Sequence, residues 1–68
     1  MQVQLNGEPT TIAAGTTIEG LLRSLQINPH QVGIAVAINR RVIPRKEWTQ
    51  TVISEGDQIE LVYARQGG

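Results

Sequence analysis

Thr16-Thr17-Ile18-Glu19-Gly20-Leu21-Leu22-Arg23-Ser24-Leu25 is the stretch on which the fold turns. Ile18, Leu21, Leu22 and Leu25 stand at i, i+3, i+4 and i+7, which is one face of an α-helix. Thr16 and Glu19 have the spacing of a capping box: the hydroxyl accepts from the Glu19 backbone N–H and the carboxylate reaches back to Thr16. Gly20 weakens the helix by roughly 1 kcal/mol relative to alanine. Asn28-Pro29 sets its outer limit, because the residue before a proline is pushed out of the helical region.

On either side of this helix the period changes to two. In Gln2–Asn6, Val3 and Leu5 alternate with Gln2, Gln4 and Asn6, the pattern of a half-buried strand. Asn6-Gly7 accepts the positive φ of a two-residue hairpin turn. Pro9–Ala13 is the return strand, and Pro9 sends it to a sheet edge because proline donates nothing to a ladder. After the helix, Ile34–Ile38 is apolar on both alternating faces and reads as an interior strand. Asn39, Arg40 and Arg41 form a turn, Val42-Ile43 a short return strand stopped by Pro44, and Arg45–Trp48 a single helical turn. Ser54-Glu55-Gly56-Asp57 is a second turn signal. Gln58–Ala64 alternates again, with Ile59, Leu61 and Tyr63 on one side. One helix against one face of a mixed sheet of four to five strands is the economical arrangement, an α+β domain over residues 1–64. Arg65, Gln66, Gly67 and Gly68 carry no apolar anchor and are expected to be a flexible tail.

Composition narrows the function. Sixty-eight residues make one small core and leave no room for an enclosed substrate cavity. Six Lys plus Arg balance six Asp plus Glu, so there is no basic excess to hold nucleic acid. There is no cysteine, which removes thiol nucleophiles, thiolate zinc sites and iron–sulfur ligation, and favours an intracellular setting for so small a domain. Met1-Gln2-Val3-Gln4 lacks the basic and apolar regions of a signal peptide. The longest apolar run, Val32–Ile38, is far short of the roughly 20 residues of a membrane span. A soluble, cytoplasmic domain without nucleic-acid or membrane partners is the expectation.

Side-chain chemistry is scarce. His30 is the only histidine and reads as an exposed loop residue; with no cysteine beside it, no metal cage is expected. Ser24 and Ser54 have no histidine at a telling spacing. The glycines match no phosphate-binding loop. Arg40, Arg41, Arg45 and Lys46 put four cations within seven residues. A partner-binding patch and a solvated turn are the two readings, and the shortness of the run favours the turn. Trp48 and Tyr63 are the only aromatics and are expected to pack at the edge of the core.

The other candidate is the end of the chain. Two final glycines arise by chance in about one chain in 200. Without a Cβ on either residue, Gly67-Gly68 can thread a narrow channel and approach a nucleotide closely. The group it would deliver is the α-carboxylate of Gly68. A carboxylate resists nucleophiles, being anionic and without a good leaving group; transfer of AMP from ATP would supply one. The domain is then a handle and not an enzyme.

These segments resemble the sulfur-carrier proteins of thiamine biosynthesis, ThiS-like members of the ubiquitin-like β-grasp fold. The resemblance spans essentially the whole chain. It rests on Val3-Gln4-Leu5-Asn6-Gly7, Ile18-Glu19-Gly20-Leu21-Leu22, Ala35-Val36-Ala37-Ile38-Asn39, Val42-Ile43-Pro44-Arg45 with Trp48, and Glu55-Gly56-Asp57-Gln58-Ile59-Glu60 leading to Gly67-Gly68. It implies that a ThiF-like adenylyltransferase, related to the ubiquitin-activating enzymes, adenylates Gly68 with ATP, so that the chain itself binds no cofactor. A sulfur donor such as a cysteine desulfurase would convert the end to a thiocarboxylate, which passes its sulfur to a ThiG-like thiazole synthase. Gly67 and Gly68 carry over as functional positions, with Arg65 and Gln66 lining the same channel. Other readings are a different β-grasp sulfur carrier (the molybdopterin synthase small subunit or a cysteine- or siderophore-pathway carrier), a protein modifier, and a plain interaction domain. The Val42–Trp48 segment and the short length favour the thiamine branch.

Overall fold

The computed structural model describes residues 1–63. Its elements are β1 (Gln2–Leu5), β2 (Glu8–Thr11), α1 (Ile18–Ser24), β3 (Ile34–Ile38), β4 (Arg41–Val42), a 3-10 turn (Arg45–Glu47) and β5 (Gln58–Tyr63). The strands form one mixed sheet in the order β2-β1-β5-β3-β4. β5 lies in the middle, parallel to β1 (Gln4 opposite Gln58, Leu5 opposite Ile59) and antiparallel to β3 (Ile34 opposite Tyr63 through Ile38 opposite Ile59). Pro9 lies in β2, an edge strand, opposite Gln4. The boundary at 64/65 and the expected tail, Arg65 to Gly68, lie outside the described residues.

One core forms between α1 and the covered sheet face. Val3, Ile34, Val36, Ile38 and Ile59 contribute from the strands, Ile18, Leu21 and Leu22 from the helix, and Trp48 and Ile53 from the segment that closes the end. Burying each large aliphatic side chain stabilises the fold by about 1.5–3 kcal/mol. Ala35, on the other face of β3, is exposed, as are Val42 and Val62. The apolar run 34–38 is therefore interior by its strand pairing on both edges, yet covered on one face.

The helix begins one residue later than the capping-box spacing implies. Its N-cap is Thr17, whose hydroxyl accepts from the Gly20 N–H at 3.1 Å. The cause is non-local. Thr17 forms an isolated antiparallel bridge with Val52; the Ile18 N–H donates to the Thr51 carbonyl, and the Thr16 carbonyl accepts from Ile53. That pairing holds Thr17 extended, so the helix starts at Ile18. The Glu19 N–H donates to the Trp48 carbonyl, while the Glu19 carboxylate turns to Arg23 at 3.7 Å. The first N–H groups of the helix, which have no partner within it, are thus satisfied by the cap and by the 48–53 segment.

At the other end Leu25 is the C-cap and 40% exposed, so it leaves the buried stripe. Gln26 has φ 62°, its N–H donates to Arg23, and the Ile27 N–H donates to Leu22. Those two bonds define a Schellman ending, with Gln26 where glycine is usual. No helix among the described residues is long and apolar enough to cross a membrane.

Candidate functional site

β5 is the strand that leads toward Gly67-Gly68, and two asparagine side chains hold its backbone. Asn6 opens the β1–β2 turn with φ 51°, followed by Gly7 at 83°. Its backbone N–H donates to the Ile59 carbonyl at 2.8 Å, and its side-chain amide then grips the next residue but one: Nδ2 donates to the Leu61 carbonyl at 3.2 Å, and Oδ1 accepts from the Leu61 N–H at 2.8 Å. Asn39 opens the β3–β4 turn with φ 52°. Its Oδ1 accepts from the Gln58 N–H at 3.0 Å, its Nδ2 donates to Asp57 Oδ1 at 3.1 Å, and its backbone N–H donates to the Gln58 carbonyl at 2.7 Å. Asp57 Oδ2 accepts from the Ser54 N–H at 2.8 Å, which closes the Ser54–Asp57 turn.

The basic cluster divides. Arg45 donates through Nη1 to the Pro29 carbonyl and through Nη2 to the Gln31 carbonyl, and its guanidinium lies 4.7 Å from the Trp48 ring centroid. It ties the loop before β3 to the 3-10 turn and stacks on the core, with cation–π attraction adding to the hydrogen bonds. Arg40, Arg41 and Lys46 are exposed. Trp48 is a full member of the core, 3% exposed, with its indole N–H donated to the Ile43 carbonyl at 2.8 Å. Tyr63, by contrast, is 43% exposed.

His30 lies exposed in a loop, its backbone N–H donating to Asn28 Oδ1. The Ser24 hydroxyl donates to the Leu21 carbonyl within its own helix. An open depression of about 580 Å³ between the two hairpin turns is lined by Gln4, Asn6, Gly7, Arg40, Gln58 and Glu60, with no nucleophile beside a base among them. Among the described residues, no three His, Cys, Asp or Glu side chains stand close enough together to hold a metal ion. Arg65, Gln66, Gly67 and Gly68 lie outside the described residues. Sequence reasoning missed the two asparagine amides; Asn6-Gly7 signals a turn, and nothing local shows which strand an amide will meet.

A mixed five-stranded sheet with one helix across one face is the ubiquitin-like β-grasp fold. The thiamine biosynthesis protein ThiS of Geobacter metallireducens, solved by crystallography, superposes with a TM-score of 0.81 at 30% identity over 100% of both chains. The sulfur carrier protein ThiS of Escherichia coli is 40% identical over 68 residues, 100% of each chain. A thiazole synthase of Magnetococcus marinus is 46% identical over 68 residues, all of this chain and 20% of that protein. The family model described as the ThiS family matches residues 3–68. The chain belongs to the ThiS family of sulfur carriers in thiamine biosynthesis, and is a carrier rather than a catalyst.

Proposed function

We propose that the sulfur travels on the C-terminal carboxylate of Gly68, with residues 1–64 as the recognised body and 65–68 as the segment that enters partner enzymes. The observation that carries this reading is the Gly67-Gly68 end, which falls within the family match at residues 3–68 and follows the strand at the centre of the sheet. The absence of any cysteine supports it, because no side-chain thiol is present to carry the sulfur instead.

The activating step needs an ATP-dependent, ThiF-like adenylyltransferase. A carboxylate oxygen of Gly68 attacks the α-phosphorus of ATP, a C–O–P linkage forms, and pyrophosphate leaves. A hydrosulfide equivalent then attacks the acyl carbon; the C–O bond breaks with its electron pair going to AMP, and loss of the S–H proton leaves a thiocarboxylate. When the donor is a persulfide, such as that of a cysteine desulfurase, a thiol must reduce the acyl disulfide that forms first. Gly67 and Gly68 offer no Cβ to obstruct the approach to the nucleotide. Arg65 and Gln66 line the same channel. The acceptor is a ThiG-like thiazole synthase. This is supported by the occurrence of a segment similar to the whole chain within proteins named thiazole synthase. ATP is consumed by the partner and not held by the carrier, and a cytoplasmic setting suits that dependence.

Incubation with the cognate adenylyltransferase, ATP and a sulfur source is expected to give the mass gain of an oxygen-to-sulfur exchange, read on the intact protein. Removing Gly68 is expected to abolish the gain while the unfolding midpoint stays put. No mass gain in the unaltered chain with an active enzyme would overturn the proposal.

A further inference from the structure

Asn6 does two separable things. As the first turn residue it supplies a left-handed backbone, which asparagine tolerates better than most residues. As a side chain it extends the sheet. The β1–β5 register gives Leu5 opposite Ile59, and the β1 backbone then turns away into Asn6-Gly7. The next β5 groups on that side, the N–H and carbonyl of Leu61, would face solvent. The Asn6 amide meets both, one as acceptor and one as donor, as a further peptide of β1 would. The turn alone does not need this contact.

Among the described residues, Leu61 is the last of β5 to be held from the β1 side; beyond it β5 is paired through β3, up to Ile34 opposite Tyr63. Five residues separate Tyr63 from the reacting end inclusive of Gly68, and a chain covers at most about 3.3–3.6 Å per residue. A partner that holds Gly68 therefore works close to the end of β5, and the direction of that end decides where the terminal segment can go.

We infer that Asn6 is a positioning residue for the reaction at Gly68: its amide fixes the end of β5 so that the body and the terminal segment engage the adenylating enzyme together. This rests on the reading of Gly68 as the reacting group. Loss of the amide leaves the end of β5 held by β3 alone, without its support on the β1 side, and binding must then restore the lost order. The cost falls on association and not on the phosphoryl chemistry, and so on KM.

Asn6→Gly separates the two roles, because glycine accepts φ 51° freely and has no amide. Asn39→Gly is the comparator, with φ 52° and an amide on the same strand at its other end. Adenylation would be followed by pyrophosphate release against carrier concentration, and exchange of the Leu61 amide by NMR on the free proteins. Asn6→Gly is expected to speed Leu61 exchange and to raise KM about fivefold, the equivalent of one net hydrogen bond, with kcat within about twofold of wild type. Asn39→Gly is expected to leave KM within about twofold. Asn6→Asp keeps the acceptor and the turn but loses the donor, and is expected to fall between Asn6→Gly and wild type, which keeps the test open if the glycine variant does not fold. A wild-type KM in Asn6→Gly, or an equal rise in both glycine variants, would sink the positioning role while leaving Gly68 as the reacting end. Failure of the wild-type chain to be adenylated at all would remove the reading of Gly68 and this role with it.

Discussion

The two hairpins that flank β5 solve the same problem with different residues. Both turns open on an asparagine in the left-handed region, at φ 51° and 52°, and both use its amide to hold the strand between them. The second turn position differs: glycine at residue 7, φ 83°, and arginine at residue 40, φ 69°. Glycine enters that region without penalty, whereas a residue with a Cβ is strained there by about 1–2 kcal/mol. The grips differ too. Asn39 is backed by Asp57 and the Ser54–Asp57 turn, so the start of β5 sits in a network of side chains and backbone. Among the described residues, Asn6 acts with no second side chain, toward the end of β5. The start of the strand is fixed by redundancy; on the β1 side its end is held by one amide, with β3 pairing the other side.

The largest effect should come from removing what the two hairpins share. Ile59 is 1% exposed and lies opposite both Leu5 and Ile38. Ile59→Ala is expected to cost about 2–5 kcal/mol in urea unfolding, through lost burial and the cavity left behind. A loss under about 1 kcal/mol would mean that the hairpins are held by their turns and not by the strand between them. Next comes Asn39→Ala, which removes the amide from Gln58 and Asp57 and places a Cβ-bearing residue without a local polar contact at φ 52°. The combined loss is expected to be about 2 kcal/mol. Asn39→Gly should recover the backbone part and lose about 1 kcal/mol, and equal losses in the two variants would show that the conformation of the turn contributes nothing.

Much of this frame is written locally. The helix stripe Ile18, Leu21, Leu22, the Asn6-Gly7 turn, the edge position of Pro9 and the Ser54–Asp57 turn all depend on residues within a few positions of one another, and all are where their spacing places them. What the local pattern misses is set by partners far along the chain. The cap moves from Thr16 to Thr17 because residues 51–53 pair with 16–18. Arg45, exposed like the rest of the basic cluster, is tied down because two carbonyls in the 29–31 loop come within its reach. The asparagine amides acquire their role only when β5 arrives between two turns made more than fifteen residues earlier. The proposed site, Gly67-Gly68, lies outside the described residues, and it stands out in the bare sequence because a chain end proposed to react needs no side chain brought to it from elsewhere.

The smallest predicted effect bears on the residue that makes the two hairpins unlike. Arg40→Gly would give the second turn the Asn-Gly pair of the first, relieving about 1–2 kcal/mol of left-handed strain while adding about 0.5–1 kcal/mol of chain entropy to the unfolded state. A net stabilisation of about 0.5–1 kcal/mol is expected. Gln26 offers the calibration, since it is also a non-glycine residue at positive φ, 62°, at the end of α1 and away from β5. Gln26→Gly should stabilise by a similar amount, because glycine is the common residue at that place in a Schellman ending. If Gln26→Gly stabilises and Arg40→Gly does not, the Arg40 side chain makes a compensating contact in the free protein, and the two turns differ by more than backbone strain. If both stabilise equally, the arginine is kept at a cost to folding, and its value must be sought in what the exposed side chain meets outside the molecule.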